Sequence, residues 1–279
     1  MSISVLIPTL NEERNLVECL ASVGWSDDVV IVDSRSRDRT AEIARTAGAR
    51  VVEFDWDGNV PKKKNWALAS VAWKHPWVLV LDADEWVTPE LAEEMLATVA
   101  TTDRHGFLIN RRLIFLGRWI KHCGYYPSWN LRLFLHERGR YESLVDGDTG
   151  SGDNEVHEHV IMDGLVGRLR GELVHHAYPD IATWVEKHNR YSNWEAAVEV
   201  RGIPDGNMPS GGVPMSRRRL RALTRGLPFR PTLRFLYSYV LRGGFLDGYP
   251  GYVLSRLMAI YELLSVLKAG EARRRKVAH

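Results

Sequence analysis

The sequence predicts an α/β protein built on a mostly parallel central sheet. Three observations carry this: short β-branched runs alternate with helix-period segments over the first hundred residues, polar residues collect where those runs end, and 45% of the 279 residues are hydrophobic, enough for a sizeable core. The two cysteines, Cys19 and Cys123, are far apart and have no metal-site spacing. This excludes a disulfide framework and a cysteine zinc site, and fits a reducing compartment. The first residues, MSISVLIPTLNEE, have no basic stretch before their apolar run, so they read as a buried strand and the expected location is cytoplasmic.

The runs 3–7, 29–33, 51–54 and 77–81 are too short for helices and rich in Val and Ile, as buried parallel strands require. Between them, 12–23, 40–47 and 62–71 space their apolar residues as helices do, with Leu16, Cys19, Leu20 and Val23 on one face. In such a βαβαβαβ order, ligands bind beyond the carboxyl ends of the strands. After the fourth strand come Asp82-Ala83-Asp84-Glu85 and a helix start in which Thr88 is the N-cap and Pro89 the first residue. Residues 106–176, with strand candidates at 107–110 and 132–135 broken by Gly and Pro, read as an irregular β-rich extension that completes a pocket. Residues 202–214 hold four Gly and three Pro and form a linker.

Charge divides the chain. Residues 1–205 carry 23 basic and 32 acidic side chains, a net −9, and residues 206–279 carry 14 and 3, a net +11. The basic part contains the apolar segments 233–241 and 252–267, the second interrupted by Arg256 and Glu262 and shorter than the roughly 20 residues that span a bilayer. A basic, aromatic, amphipathic tail suits an anionic membrane surface. The same pattern also fits helices that pack on the body or on another copy of the chain. No nucleic-acid reader motif accompanies the basic residues, so a nucleic-acid partner is not expected.

Two carboxylates one residue apart at a strand end, Asp82 and Asp84, repel unless a cation lies between them, and hard oxygen ligands favour Mg2+ or Mn2+. An acidic surface loop is the plain alternative. Asp33 ends the second strand and can accept a base or ribose proton, and Lys62-Lys63-Lys64 open the third helix, where lysines can meet phosphate. Neither GxGxxG after the first strand nor GxxxxGK[ST] anywhere is present, which excludes a dinucleotide-binding dehydrogenase and a P-loop NTPase.

The segments 4–13, 30–34, 64–68 and 81–85 resemble, in order, those of the family-2 glycosyltransferases of GT-A fold. Farther on, 115–120, 125–127, 132–134 and 156–158 are similar to the WaaE-type branch, which adds a hexose to the lipopolysaccharide inner core. The resemblance implies that Thr9, Glu12 and Asp33 hold the nucleotide, that Lys64 lies near its phosphates, and that Asp82 and Asp84 face the ribose and a metal-bound diphosphate. Glu158 is then the expected general base, with Asp153 and Glu155 as alternatives. His157, His159, His175 and His176 are candidates for a further metal ligand. Of these, His175 lies in a stretch similar to the family's, and a structural role bonded to backbone is open to each. The aromatics Trp119, Tyr125, Tyr126 and Trp129 fit either sugar stacking or core.

The expected organisation is a glycosyltransferase domain over 1–201, divided into a nucleotide-sugar half, 1–105, and an acceptor half, 106–201. A linker, 202–216, and a basic helical tail, 217–279, follow. The expected activity is inverting, metal-dependent hexose transfer from a nucleotide sugar, first a UDP-sugar, to a membrane-associated glycan or lipid-linked acceptor at the inner face of the cytoplasmic membrane. A sugar-phosphate nucleotidyltransferase is a second reading, although PTLNEE lacks that class's Gly-rich first loop. A non-enzymatic membrane-attached scaffold is a third.

Overall fold

The computed structural model describes residues 2–57, 61–142, 159–201 and 229–277. Strands β1 (Ile3–Thr9), β2 (Val29–Asp33), β3 (Arg50–Glu53) and β4 (Trp77–Val80) are parallel and lie in the order β3-β2-β1-β4. Helices α1 (Leu16–Ser22), α2 (Thr40–Thr46) and α3 (Lys63–Ser70) connect them. Ile3, Val5 and Ile7 of β1 pack with Leu79 of β4 and with Leu16 and Cys19 of α1, whereas Leu6, Val30, Val78 and Val80 pack with Ala67 and Leu68 of α3. Successive strand residues thus enter opposite cores, as they must when helices cover both faces of a sheet.

The first helix begins at Leu16, not at residue 12 as expected. Asn11 takes a positive φ of 56°, and the amides of Glu12 and Glu13 donate to Thr40 Oγ1 and Asp38 Oδ2. The chain therefore makes a turn beside the β2–α2 connection before it can wind into a helix.

Residues 106–176 also correct the reading. Their β-rich character is borne out, but among the described residues four strands extend the same central sheet instead of forming an irregular addition. Beyond β4 follow β8 (Trp129–Leu135), β6 (Gly106–Phe115), β11 (Val166–Tyr178) and β5 (Glu85–Val87), with β7 (Arg118–Trp119) paired to β6. The strands β9 (Gly139–Tyr141) and β10 (Val160–Met162) form a separate antiparallel pair. Polar residues interrupt β6 and β11 in sequence but are paired in the fold: Asn110 Nδ2 donates to Glu172 Oε1 at 2.5 Å, and Arg112 pairs with the other oxygen of Glu172. Helix α4 (Pro89–Thr101) starts as expected, with the Leu91 amide donating to Thr88 Oγ1 at 3.3 Å.

Helix α5 (Ile181–Arg201) leads away from the sheet. The chain is next described from Phe229, so the expected linker 202–216 and the arginines at 217–225 lie outside the described residues. The C-terminal part comprises α6 (Arg230–Leu236), a π-helical turn (Tyr237–Leu241), a short 3-10 turn (Gly244–Asp247) and α7 (Gly248–Val277). Leu254, Leu257, Met258 and Tyr261 of α7 form a third core with Leu113, Phe115, Ile120 and Trp184. Buried Asp247 accepts the His122 amide at 2.8 Å and the Lys121 amide at 3.3 Å. A Cβ at Gly251 would lie 2.1 Å from the Gly244 carbonyl oxygen, so the crossing of the 3-10 turn and α7 admits only glycine there. The outer surface keeps large apolar groups in solvent, with Phe229 79%, Leu241 77% and Tyr249 71% exposed. Among the described residues no helix is long and apolar enough to cross a membrane.

Candidate active site

The ends of β2, β1 and β4 are neighbours in the sheet, and their register sets Thr9 beside Asp33. Thr9 Oγ1 donates to Asp33 Oδ1 at 2.7 Å, and the Ser36 amide and hydroxyl donate to the same carboxylate at 2.7 and 2.5 Å. Arg35, in the left-handed region at φ 56°, turns the chain sharply after β2. Lys63, almost wholly buried, reaches the Thr9 carbonyl oxygen at 2.7 Å. The loops after β1 and β2 are thus tied to each other and to the start of α3.

After β4 the chain turns through Asp82-Ala83-Asp84 into β5, closing with the Glu85 amide on the Asp82 carbonyl oxygen at 2.9 Å. Antiparallel pairing sets His175 of β11 opposite Glu85, which brings its imidazole beside Asp84, Nε2 to Oδ1 3.4 Å. The His176 amide donates to the Asp84 carbonyl oxygen at 2.8 Å and the His176 ring stacks on Trp86. Lys187 of α5 holds the other Asp84 oxygen at 3.3 Å and the Ala177 carbonyl oxygen at 3.2 Å.

The expected uncompensated repulsion between Asp82 and Asp84 is corrected by this geometry, because each carboxylate has basic side chains of its own beside it. Asp82 accepts Lys64 Nζ at 3.0 Å and Arg132 Nη2 at 2.5 Å, and Asp84 faces His175 and Lys187. Burial pushes both carboxyls up, yet Arg132 and Lys64 hold Asp82 well below the usual carboxylate range, and His175 and Lys187 hold Asp84 below it. Arg132 also meets the fully buried Glu85 at 2.9 Å, where Arg111 Nη1 lies at the same distance. Glu12, bonded by Asn15 Nδ2 at 2.8 Å, has its pKa raised, first by burial and then by the charge of Asp84.

The structure therefore brings Thr9, Glu12, Asp33, Lys64, Asp82, Asp84 and His175 to one end of the sheet. Lys64 is held on Asp82, which ties it to the expected diphosphate side through a carboxylate. Asp84 and His175 are close enough to share one divalent ion, and among the described residues no group of three or more His, Cys, Asp or Glu converges to hold a metal. A resident ion there would complete its shell with substrate oxygens, as Mg2+ and Mn2+ commonly do. Glu158, Asp153, Glu155 and His157 lie outside the described residues. Lys187 and Arg111 escaped the sequence reading because they come from α5 and β6 with no motif around them, and Arg132, within the segment 132–134 that carries the resemblance, was given no role at the Asp82 site. The four aromatics do not form one stacking surface. Tyr126 bonds Glu172, Trp119 packs edge-on to Tyr126, Trp129 lies under Arg168, and Tyr125 turns toward α7.

The family model described as Glycosyl transferase family 2 matches residues 4–150. The chain is 29% identical over 280 residues to a lipopolysaccharide core biosynthesis glycosyltransferase, LpsC, of Rhizobium meliloti, covering 96% of this chain and 92% of that protein. It is 27% identical to an uncharacterised glycosyltransferase of Rickettsia typhi, covering 96% of this chain and 87% of that one. Among solved structures, S. aureus TarS 1-349 in complex with UDP-GlcNAc superposes with a TM-score of 0.48 at 16% identity, covering 99% of this chain and 92% of that one.

Proposed function

The chain belongs to glycosyl transferase family 2, and from that premise we propose that it moves a hexose from a nucleoside-diphosphate sugar, first a UDP-sugar, onto a glycan or lipid-linked acceptor of the lipopolysaccharide core. The observation that carries the reading is the placement of Asp33 at the end of β2 and of Asp82 and Asp84 just after β4, on either side of the β1 end, each oriented by a partner of its own. The nature of the acceptor is suggested by the similarity to LpsC along nearly the whole chain.

In this reading Asp33, fixed by Thr9 and Ser36, accepts protons from the base or ribose, and Glu12 closes the same side of the nucleotide. Asp82, clamped by Lys64 and Arg132, faces the ribose and the diphosphate. Asp84 and His175 would hold a divalent ion, Mg2+ or Mn2+, and the ion would supply positive charge toward the diphosphate. Glu158 takes the proton of the acceptor hydroxyl while that oxygen bonds to the anomeric carbon and the bond to the diphosphate oxygen breaks, which inverts the centre. A panel of UDP-sugars with purified chain, metal and a lipopolysaccharide core acceptor tests the reading by UDP release and product mass. Glu158→Gln should keep donor affinity and lose about 10²–10⁴-fold in transfer. Near-parental transfer by this variant would move the base to Asp153 or Glu155, and absence of transfer with every donor would oppose the reading as a whole.

The acceptor is met at a membrane surface. Phe229, Leu241, Phe245, Leu246 and Tyr249 stand in solvent on the C-terminal helices with Arg242 exposed among them, and the tail as a whole is basic. Such a face enters the headgroup region of anionic lipid without spanning it.

A further inference from the structure

A pocket of about 260 Å³ opens beside the strand-end cluster, between β6, β11, α5 and α7. We infer that this pocket seats a neutral pyranose ring of the acceptor glycan, next to the hydroxyl that receives the hexose. The inference rests on the proposed transfer reaction and adds the acceptor subsite to it.

Position supports it first. His175 both lines the pocket and lies 3.4 Å from Asp84, so the pocket begins where the expected diphosphate side ends. The walls support it next, since Tyr125, Tyr178, Tyr191 and Tyr261 contribute aromatic surface. His188 lies between them, stacked on Trp184 at 3.6 Å and edge-on to Tyr191 at 5.4 Å and Tyr261 at 5.1 Å, which fixes the walls before any ligand arrives. Flat aromatic faces match the C–H face of a pyranose.

The polar lining then favours a sugar over a lipid chain. Arg111 and Glu195 place one positive and one negative group in the lining, a balance that selects a neutral, hydroxyl-rich ligand. Arg111, whose Nη1 is held by Glu85, presents a fixed guanidinium in the lining. Tyr178, Tyr191, Glu195 and Tyr261 all lie beyond the family-matched segment 4–150.

Saturation-transfer NMR on the full chain tests this, with millimolar methyl α-D-mannopyranoside and methyl β-D-glucopyranoside as probes and UDP with Mn2+ as the second ligand. At least one ring should receive saturation and keep it when UDP is added. Tyr191→Ala and Glu195→Gln should each weaken that ring about tenfold, the loss of one stacked face or one good polar contact, with UDP binding unchanged. Met258→Trp, which fills the pocket with a larger apolar side chain, should abolish ring binding, and thermal melts establish that each variant is folded. Displacement of the ring by UDP, equal binding by parent and folded variants, or binding of neither ring would overturn the subsite. Failure of UDP to bind at all would instead strike the transfer reading, so the two are told apart.

Discussion

Asp84 has two neighbours with opposite consequences for an incoming cation. His175 can share a metal with it, whereas the Lys187 ammonium already neutralises its other oxygen. Binding of a divalent ion must therefore compete with Lys187, and Lys187→Met should raise Mn2+ affinity of the nucleotide-free protein severalfold in a calorimetric titration, since it removes a nearby positive charge. Unchanged affinity would mean that Lys187 moves aside freely. Asp33, Asp82 and Asp84 were legible in the sequence because they end or closely follow two β-branched runs, 29–33 and 77–81, and a strand end tells where the chain leaves the sheet. Their counter-ions were not. Arg132 lies 50 positions after Asp82 and Lys187 103 after Asp84, and only the folded sheet brings them together. Hence the argument from bare repulsion between the paired acids was wrong, although the residues it selected do meet at one site.

The elements differ in how openly the sequence declares them. β1, β2 and β4 are largely apolar and buried because both faces are covered, whereas the edge strand β3 exposes Arg50 and Glu53, and the edges of all four fell within two residues of expectation. β6 and β11 are longer, yet Asn110, Arg111, Arg112 and Glu172 disguise them, since a polar residue paired across the sheet looks the same in sequence as one in a loop. The C-terminal helices are joined to the body by a comparable hidden contact, the buried Asp247 on the 121–122 amides and the His122 ring. Asp247→Ala leaves those donors without an acceptor and should cost about 1–3 kcal/mol in urea unfolding. It should also raise amide exchange in α7 ahead of β1. A loss below about 0.5 kcal/mol would show that the apolar contacts of Leu254 and Leu257 alone seat the helix.

For the whole molecule, the charge division seen in sequence corresponds to a sheet that carries the acidic cluster and to helices that pack one face on it and leave another apolar in solvent. The C-terminal helices pack on the body through Met258 and Tyr261, one of the readings left open by composition, and keep Leu241 and Tyr249 exposed on another face. Replacing Leu241, Phe245 and Tyr249 together by Ser should reduce co-sedimentation with anionic vesicles at least tenfold, because each removes exposed apolar area from the headgroup contact. Binding of the parent should also weaken with salt. Equal sedimentation would leave that face to another protein surface. The central claim, that the strand-end cluster grips a nucleoside diphosphate through a divalent ion at Asp84, is tested most directly by calorimetric titration of UDP into parent and Asp84→Asn protein, with Mn2+ and with chelator. The account predicts tight UDP binding only for the parent and only with Mn2+, while equal binding by both proteins, indifferent to the metal, would contradict it.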